Sequence, residues 1–515
     1  MARTSERAPL LDLALDPAAA EPLHRQLYAQ LRQAVLAGRL RPGTRLPSTR
    51  ALASELGCSR NTVVGAFEQL FSEGYLEGRV GSGTYVSRVL PDQLLGVDGP
   101  GAAGRDPAGP RALSERGRQL AGLGLPRHDR PRAFNPGEPD LAEFPFEVWS
   151  RLLARTWRTP TRSQMMHGPA GGDPALRRAI AEHLRRARGL ACELEQVLVT
   201  NGAQHALDLV ARVLLDPGAR AWVEDPGYPG LRGALTAATA ETVPVPLDGD
   251  GLSVAEGRRI APDARLAVVA PSHAYPLGTV MSLGRRLELL DWAAEAGAWI
   301  VEDDYDSDFR YAGRPLAALA SLDRGTARGG GRTIYLGTFS KILFPGLRLG
   351  YLVVPADLAE PLARARRALD DHPSTVVQPA LAAFLEEGHF AQHLRRMRRL
   401  YAARQEALLA AGRRHLDGLL ELAPDAAGMH LVAGLAPALA ARADDRACAE
   451  AAAAAGIAAP PLSAYHLGPP DRQGLLLGYA AVPEAEIDSA AAGLAQALDA
   501  LVAAKGTTNM KRGST

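Results

Sequence analysis

Residues 332–353 read RTIYLGTFSKILFPGLRLGYLV. Arg332 to Leu336 suits a strand, and it leads into Gly337-Thr338-Phe339-Ser340-Lys341. Composition singles out Lys341. The chain has 58 basic residues, and only Lys341, Lys505 and Lys511 among them are lysines, the last two lying in the polar tail after Ala504. A body otherwise built on arginine thus keeps one lysine, and only a primary amine can condense with an aldehyde. Small hydroxyl residues just before it, and Arg348 seven residues after it, suit a phosphate dianion. The plain alternative is a lysine on a surface loop.

A second strand, Ala298 to Val301, runs straight into Glu302-Asp303-Asp304-Tyr305-Asp306. Acids at the carboxyl end of a buried strand stand where open α/β sheets bind ligands. A carboxylate there can keep a pyridine nitrogen protonated, and Tyr305 can hydrogen-bond a ring hydroxyl. Four clustered acids could also hold a metal, but no histidine stands among them. Thr200-Asn201-Gly202-Ala203-Gln204 follows Val197 to Val199 and opens a helix, turning backbone N–H groups toward an anion. Glu224 to Pro229 gives a turn bearing Tyr228, which can stack on a flat ring or equally pack in a core. A lysine, an acid, a phosphate cradle and an aromatic face are what pyridoxal 5′-phosphate (PLP) requires of a protein. From about 131 to 505, strand-like runs alternate with helical ones, the pattern of an α/β domain with a mostly parallel sheet.

Residues 1–88 have another texture. Leu23, Leu27, Leu31 and Val35 form an apolar stripe that stops at Gly38. Ser48 offers an N-cap for a short helix ending at Gly57, and Ser59 caps another that runs toward Glu73 and Gly74. Two short helices joined by a glycine-containing turn predict a helix-turn-helix, and EGRVGSGTYVS predicts a two-stranded wing. Residues 22–88 hold nine arginines against four glutamates, a local excess of +5 hidden by the chain's net charge of +1. That excess suits DNA phosphates; a small oligomerisation domain with a basic face is the alternative. Residues 89–130, rich in Gly, Pro, Ala and Arg, read as a flexible linker, and 506–515 as a polar tail. No run approaches the ~18 apolar residues of a membrane span, and Met1 to Pro9 lacks a signal-peptide core. Cys58, Cys192 and Cys448 are too scattered for a metal cluster or a disulfide framework. A soluble cytoplasmic protein without a bound metal is expected.

The stretch from Pro22 to Ser87 resembles a GntR-type winged helix-turn-helix throughout its length. TNGAQHALDL, EDPGYPG, PSHAYPLGTVM, VEDDYDSDFRY and GTFSKILFPGLRLGYLV resemble fold-type I aminotransferases from about Phe134 onward. Joined in this order, they make the chain similar to MocR-type regulators. The resemblance implies a multidomain protein: a small α+β head and a large α/β aminotransferase-like domain. Lys341 would be the Schiff-base lysine, Asp303 the partner of the pyridine nitrogen, Tyr305 that of the ring hydroxyl, and Tyr228 the stacking ring. Ala203, Gln204, Thr338, Ser340 and Arg348 would surround the phosphate. DNA contacts would come from Arg50, Ser59, Arg60, Asn61 and Thr62, with the wing at Gly81, Ser82 and Gly83. It further implies a homodimer on double-stranded operator DNA, regulating rather than catalysing. The effector would be PLP itself, in control of vitamin B6 genes, or an amine or amino-acid adduct of PLP. A competent aminotransferase with an appended head is the alternative.

Three departures stand out. His167, in MMHGPAGGDPALR, replaces a tyrosine that the family often supplies from the neighbouring subunit to the phosphate. Ala274 stands where glutamine is common. Gly474 to Tyr479 (GLLLGY) carries leucines where aminotransferases place an arginine for the substrate carboxylate, with Arg232, Arg395 or Arg398 as replacements. An ordinary α- or ω-amino acid is therefore not expected to bind in the aminotransferase manner.

Overall fold

The computed structural model describes residues 13–79, 83–90, 112–123, 132–313, 316–323 and 331–512. They divide into two compact units, residues 1–112 and 113–515.

In the first unit, α1 (Leu23–Leu36) buries Leu27, Leu31, Ala34 and Val35, so the stripe read from the sequence is the core face. Helix α2 (Thr49–Glu55) starts where the Ser48 hydroxyl accepts the Ala51 N–H, and α3 (Arg60–Ser72) where Ser59 accepts the Thr62 N–H. Gly57 and Gly74, at φ +62° and +84°, supply the left-handed turns that end them. Val63, Phe67 and Leu70 of α3 close on α1, and Val86 of the wing joins that core. The wing pairs β1 (Leu76–Arg79) antiparallel with β2 (Gly83–Val86). Gly81 and Ser82 lie outside the described residues.

The second unit is built on an eight-stranded sheet. In chain order its strands are β3 (Val197–Thr200), β4 (Arg220–Asp225), β5 (Glu241–Asp248), β6 (Gly251–Leu252), β7 (Leu266–Val269), β8 (Trp299–Asp304), β9 (Thr333–Thr338) and β10 (Gly350–Val353). Their spatial order is β3-β10-β9-β8-β7-β4-β5-β6. The strands β9, β8, β7, β4 and β5 pair in parallel, while β10 runs against both β9 and β3. The mostly parallel sheet expected from the alternating pattern is the one observed. Strands such as β7 and β9 are buried along their whole length, as a sheet covered by helices on both faces demands. Trp222 of β4 stacks on Trp292 of a covering helix, ring centroids 3.8 Å apart. A second, antiparallel sheet follows, of β11 (Leu420–Leu422), β12 (His430–Leu435) and β13 (Gly474–Gly478).

Three expectations are corrected. The region read as a flexible linker without sustained periodicity contains a helix, Glu115–Gly122, capped by Ser114. None of its residues is buried, so it carries no apolar period for sequence reading to find. The polar tail does not begin as a separate element, because the last helix runs from Glu484 to Arg512. Within it, Glu484–Ala504 is long and apolar enough, by length and composition, to cross a membrane. Its Ile487, Ala491, Leu494 and Leu498 are fully buried in the main core, which sets one apolar stripe of this helix against the protein.

Gly478 seats the chain entering this unit. Its N–H donates to the Phe134 carbonyl at 2.8 Å, and an added Cβ would stand 2.2 Å from the Asn135 carbonyl oxygen. Backbone on both sides leaves nothing flexible to yield. Gly478→Ala is expected to cost more than about 2 kcal/mol, read as a lower denaturation midpoint by circular dichroism.

Candidate functional site

In a parallel sheet all strands end on one side, and ligands bind there. Because β10 is reversed, its beginning arrives at the end where β3, β4, β7, β8 and β9 finish. One loop, Phe339 to Leu349, therefore carries both Lys341 and Arg348 to that end. A cavity of about 280 Å³ opens there, lined by Ala203, Gln204, Tyr228, Asp303, Tyr305, Thr338, Ser340, Lys341 and Arg348. Nine of the ten cofactor-site residues expected from sequence thus meet around one space.

Lys341 donates from Nζ to the Gly137 carbonyl at 2.8 Å. Burial lowers its amine below the usual lysine range, against the pull of Asp306, Glu138 and Asp303. Strand alternation decides which acid of the cluster faces it. Asp303 points into the cavity. Glu302 and Asp304 point away: Glu302 accepts the Leu319 and Ala320 N–H groups, and Asp304 pairs with Arg188 at 2.8 Å. Burial, with Asp304 and Asp306 nearby, pushes the Asp303 carboxyl up to about 7, and Lys341 opposes the rise. The buried Oδ1 of Asp303 has no hydrogen-bond partner among the described residues.

At the other end of the cavity, Gly202 adopts φ +88° and starts the helix Ala203–Leu214. Arg348 lies beside this turn, with its guanidinium donating to the Asn201 carbonyl at 3.1 Å. The Ser340 N–H donates to Thr338 Oγ1 at 3.2 Å. A helix N-terminus, a guanidinium and two hydroxyls there form an anion cradle. Tyr228 is partly exposed over the cavity, its hydroxyl 3.4 Å from Gln204 Oε1. His167 is the exception. It lies away from the cavity of its own chain, on the surface, bonded to Asp371 at 2.6 Å and edge-on to His372. The loop that carries it packs against residues 367–378, where Arg367 donates to Gly168 and Thr375 to Gln164.

In the first unit, Arg50, Ser59, Arg60 and Asn61 are exposed at the starts of α2 and α3. The Ser59 and Thr62 hydroxyls are 2.9 Å apart and share the cap of α3. Arg60 and Asn61 are thereby the side chains at that end without a capping task. Sequence reading missed Arg45, whose Nε would lie 3.1 Å from a Cβ on Gly83, the first residue of β2.

The profile of the family described as "Bacterial regulatory proteins, gntR family" matches residues 23–86, and that of "Aminotransferase class I and II" matches 134–494. The chain is 45% identical over 471 residues to the probable rhizopine catabolism regulatory protein MocR of Rhizobium meliloti, covering 91% of this chain and 92% of that protein. The chain belongs to the MocR-type GntR regulators. The pyridoxine biosynthesis transcriptional regulator PdxR of Corynebacterium glutamicum is 36% identical over 402 residues, 77% of this chain and 80% of that one. Among solved structures, LysN, the α-aminoadipate aminotransferase of Thermus thermophilus, superposes with a TM-score of 0.65 at 28% identity. That match covers 76% of this chain and 96% of LysN, which was complexed with N-(5′-phosphopyridoxyl)-L-leucine. A MocR-type regulator is a DNA-binding transcription regulator, and the aminotransferase family of its large unit uses PLP.

The remaining lining of this MocR-type cavity comes from residues that sequence reasoning did not select. Glu224, next to last in β4, accepts the Ala270 N–H at 3.0 Å and is pushed by burial up to about 8. Tyr275 and Tyr465 meet hydroxyl to hydroxyl at 3.2 Å, and His430 and His466 complete the far wall. Burial and the charge of His273 lower His430 to about 4, which leaves it neutral. On β13, Leu475, Leu476 and Leu477 are fully buried in place of the carboxylate arginine. Of the three arginines offered as replacements, Arg232 lines the cavity. Arg395 is exposed on another helix, and Arg398 is bound to Asp308.

Proposed function

We propose that the signal read by this regulator is the occupancy of Lys341 by PLP, or by an adduct of PLP with a small amine. The observation that carries the reading is the meeting of Lys341, Asp303 and the Gly202–Arg348 cradle around one cavity whose far wall lacks the β13 arginine. The residues fit the cofactor. A protonated pyridine nitrogen supplies the donor that the orphaned Asp303 Oδ1 needs, and the phosphate finds Ala203, Gln204, Thr338, Ser340 and Arg348. When bound, PLP supplies an aldehyde that captures amines and a ring that withdraws electrons. The protein's share is to present the amine of Lys341 at a lowered proton affinity, to hold Asp303 at the ring nitrogen, and to cover the ring with Tyr228. Arg232 at the rim is the remaining cation for an anionic group on an effector.

Productive transamination would need a substrate carboxylate held in register, and leucines at 475–477 do not hold one. The chain is accordingly read as a regulator with little or no turnover. It acts in the cytoplasm as a homodimer in which His167 of one subunit reaches the other's phosphate. The head is read as 1–88 and the effector domain as 131–505; of the connection 89–130 between them, the helix Glu115–Gly122 falls in the second compact unit. A bound ligand can act on DNA affinity only by favouring one arrangement of the two heads.

The test is fluorescence anisotropy with an operator selected from a random-sequence library, comparing PLP-free and PLP-saturated protein, then adding simple amines or amino acids. A several-fold affinity change on loading with PLP, or on adding an amine to loaded protein, supports the reading. Identical affinity in every state rejects the effector role.

A further inference from the structure

His273 has no part in the site as drawn so far, yet its surroundings are built around it. Its side chain is fully buried behind Tyr305. Nδ1 lies 2.8 Å from Asp306 Oδ2 and 3.1 Å from the Tyr305 hydroxyl, and Nε2 lies 3.1 Å from Asp425 Oδ2. Each ring nitrogen thus meets a carboxylate, an arrangement that only a doubly protonated imidazole satisfies. Two glycines make room for it. A Cβ on Gly428, at φ +95°, would stand 2.4 Å from the ring, and one on Gly278, at φ +75°, would stand 3.0 Å from Nε2.

We propose that His273 is a positioning residue: a fixed imidazolium that orients the Tyr305 hydroxyl and, through it, sets the proton affinity of the bond between Lys341 and PLP. The proposal rests on the reading of Tyr305 as the partner of the cofactor's ring hydroxyl.

The charged and titratable groups facing His273 come from three segments. Tyr305 and Asp306 follow β8, Asp425 lies in the loop between β11 and β12, His430 opens β12, and Tyr275 lies on its own loop beside His430. Burial alone would keep the ring neutral, but Asp306 and Asp425 outweigh it and raise His273 to about 10. Its charge is therefore constant across the physiological range. The same charge helps to hold the neighbouring His430 at about 4. Burial and Asp306 hold the Tyr305 phenol well above its usual range, so it keeps its proton, and a positive group directly behind it opposes a second positive charge on the lysine-linked nitrogen. Asp425 tempers this from a separate stretch of chain, 152 residues away from His273.

The readout is the pH midpoint of the visible absorption change of PLP-loaded protein, a property that loosened packing alone does not move in a fixed direction. His273→Gln removes a positive charge, and the midpoint is expected to rise by about one pH unit, a tenfold gain in proton affinity. Asp425→Asn removes a negative charge while Asp306 still holds His273 protonated, and the midpoint is expected to fall. Opposite shifts support the proposal. Unchanged midpoints, or shifts in the same direction, overturn it. If His273→Gln fails to fold, the sign of the Asp425→Asn shift decides alone. A wild-type protein with no lysine-dependent band at all would instead sink the cofactor reading on which the proposal stands.

Discussion

Lys341→Ala abolishes the visible absorption that PLP gives on binding to this protein and leaves at most weak, reversible binding of the cofactor. The expectation follows from chemistry and geometry together. The substituted side chain has no amine, and the body of the chain holds no second lysine to replace it. The phosphate cradle survives, since Gly202, Ala203 and Arg348 are untouched, so binding should weaken rather than vanish. Losing the covalent link is expected to raise the apparent dissociation constant at least a hundredfold, about 2.7 kcal/mol. Lys341 donates only to the Gly137 carbonyl and lies beside the core rather than within it, so the unfolding midpoint should barely change. Titration of wild type and variant by absorbance and by equilibrium dialysis reads both quantities. A full-strength band in the variant would mean that some other amine serves, and the site would have to be redrawn.

Asn61→Ala and Arg50→Ala are expected to damage DNA binding in different ways. Asn61 is exposed at the second residue of α3, next to a cap that already occupies Ser59 and Thr62. A side-chain amide entering the major groove can pair with adenine through two hydrogen bonds, worth about 1–3 kcal/mol of discrimination. Its removal should weaken binding to the selected operator by one to two orders of magnitude and relax preference at one base pair. Arg50 is exposed in the first turn of α2, and a phosphate contact is the role expected of it. Arg50→Ala should weaken binding to all sequences alike and reduce the slope of log affinity against log salt by about one. Anisotropy at several salt concentrations, on matched and mismatched duplexes, separates the two. Equal losses on every sequence for Asn61→Ala would remove it from the base-reading set.

What could be read before the fold was known was what depends on neighbours in the chain. The α1 stripe, the Ser48 and Ser59 caps, and the strand-then-acid and strand-then-lysine runs are local patterns, and each reappears as an element. Asp303 was singled out from its cluster by the family resemblance, and the alternation of β8 supplies the physical reason only once the strand is seen. Glu224 was hidden within a turn noticed for Tyr228. The His273–Asp425 and Tyr275–Tyr465 contacts join positions 152 and 190 residues apart, and no periodicity connects them. His167 illustrates the opposite limit: a motif position was legible, but a single chain does not bring it to its own cavity. The helix Glu115–Gly122 escaped because it buries nothing, and the hydropathy of the last helix was missed because Asp488, Gln496 and Asp499 interrupt its apolar run.

The two halves of the cavity are written in different parts of the chain. The cofactor's grip is held by strand ends between residues 200 and 350, locked in register by the sheet. The far wall comes mostly from His430 and residues 464–467, in and around the smaller antiparallel sheet. On the proposed reading, changes in that later stretch would alter which small molecule fits the cavity while the strand ends that meet at Lys341 stay as they are. One scaffold can in this way be inherited by many signalling pathways, each retuned by a handful of late residues.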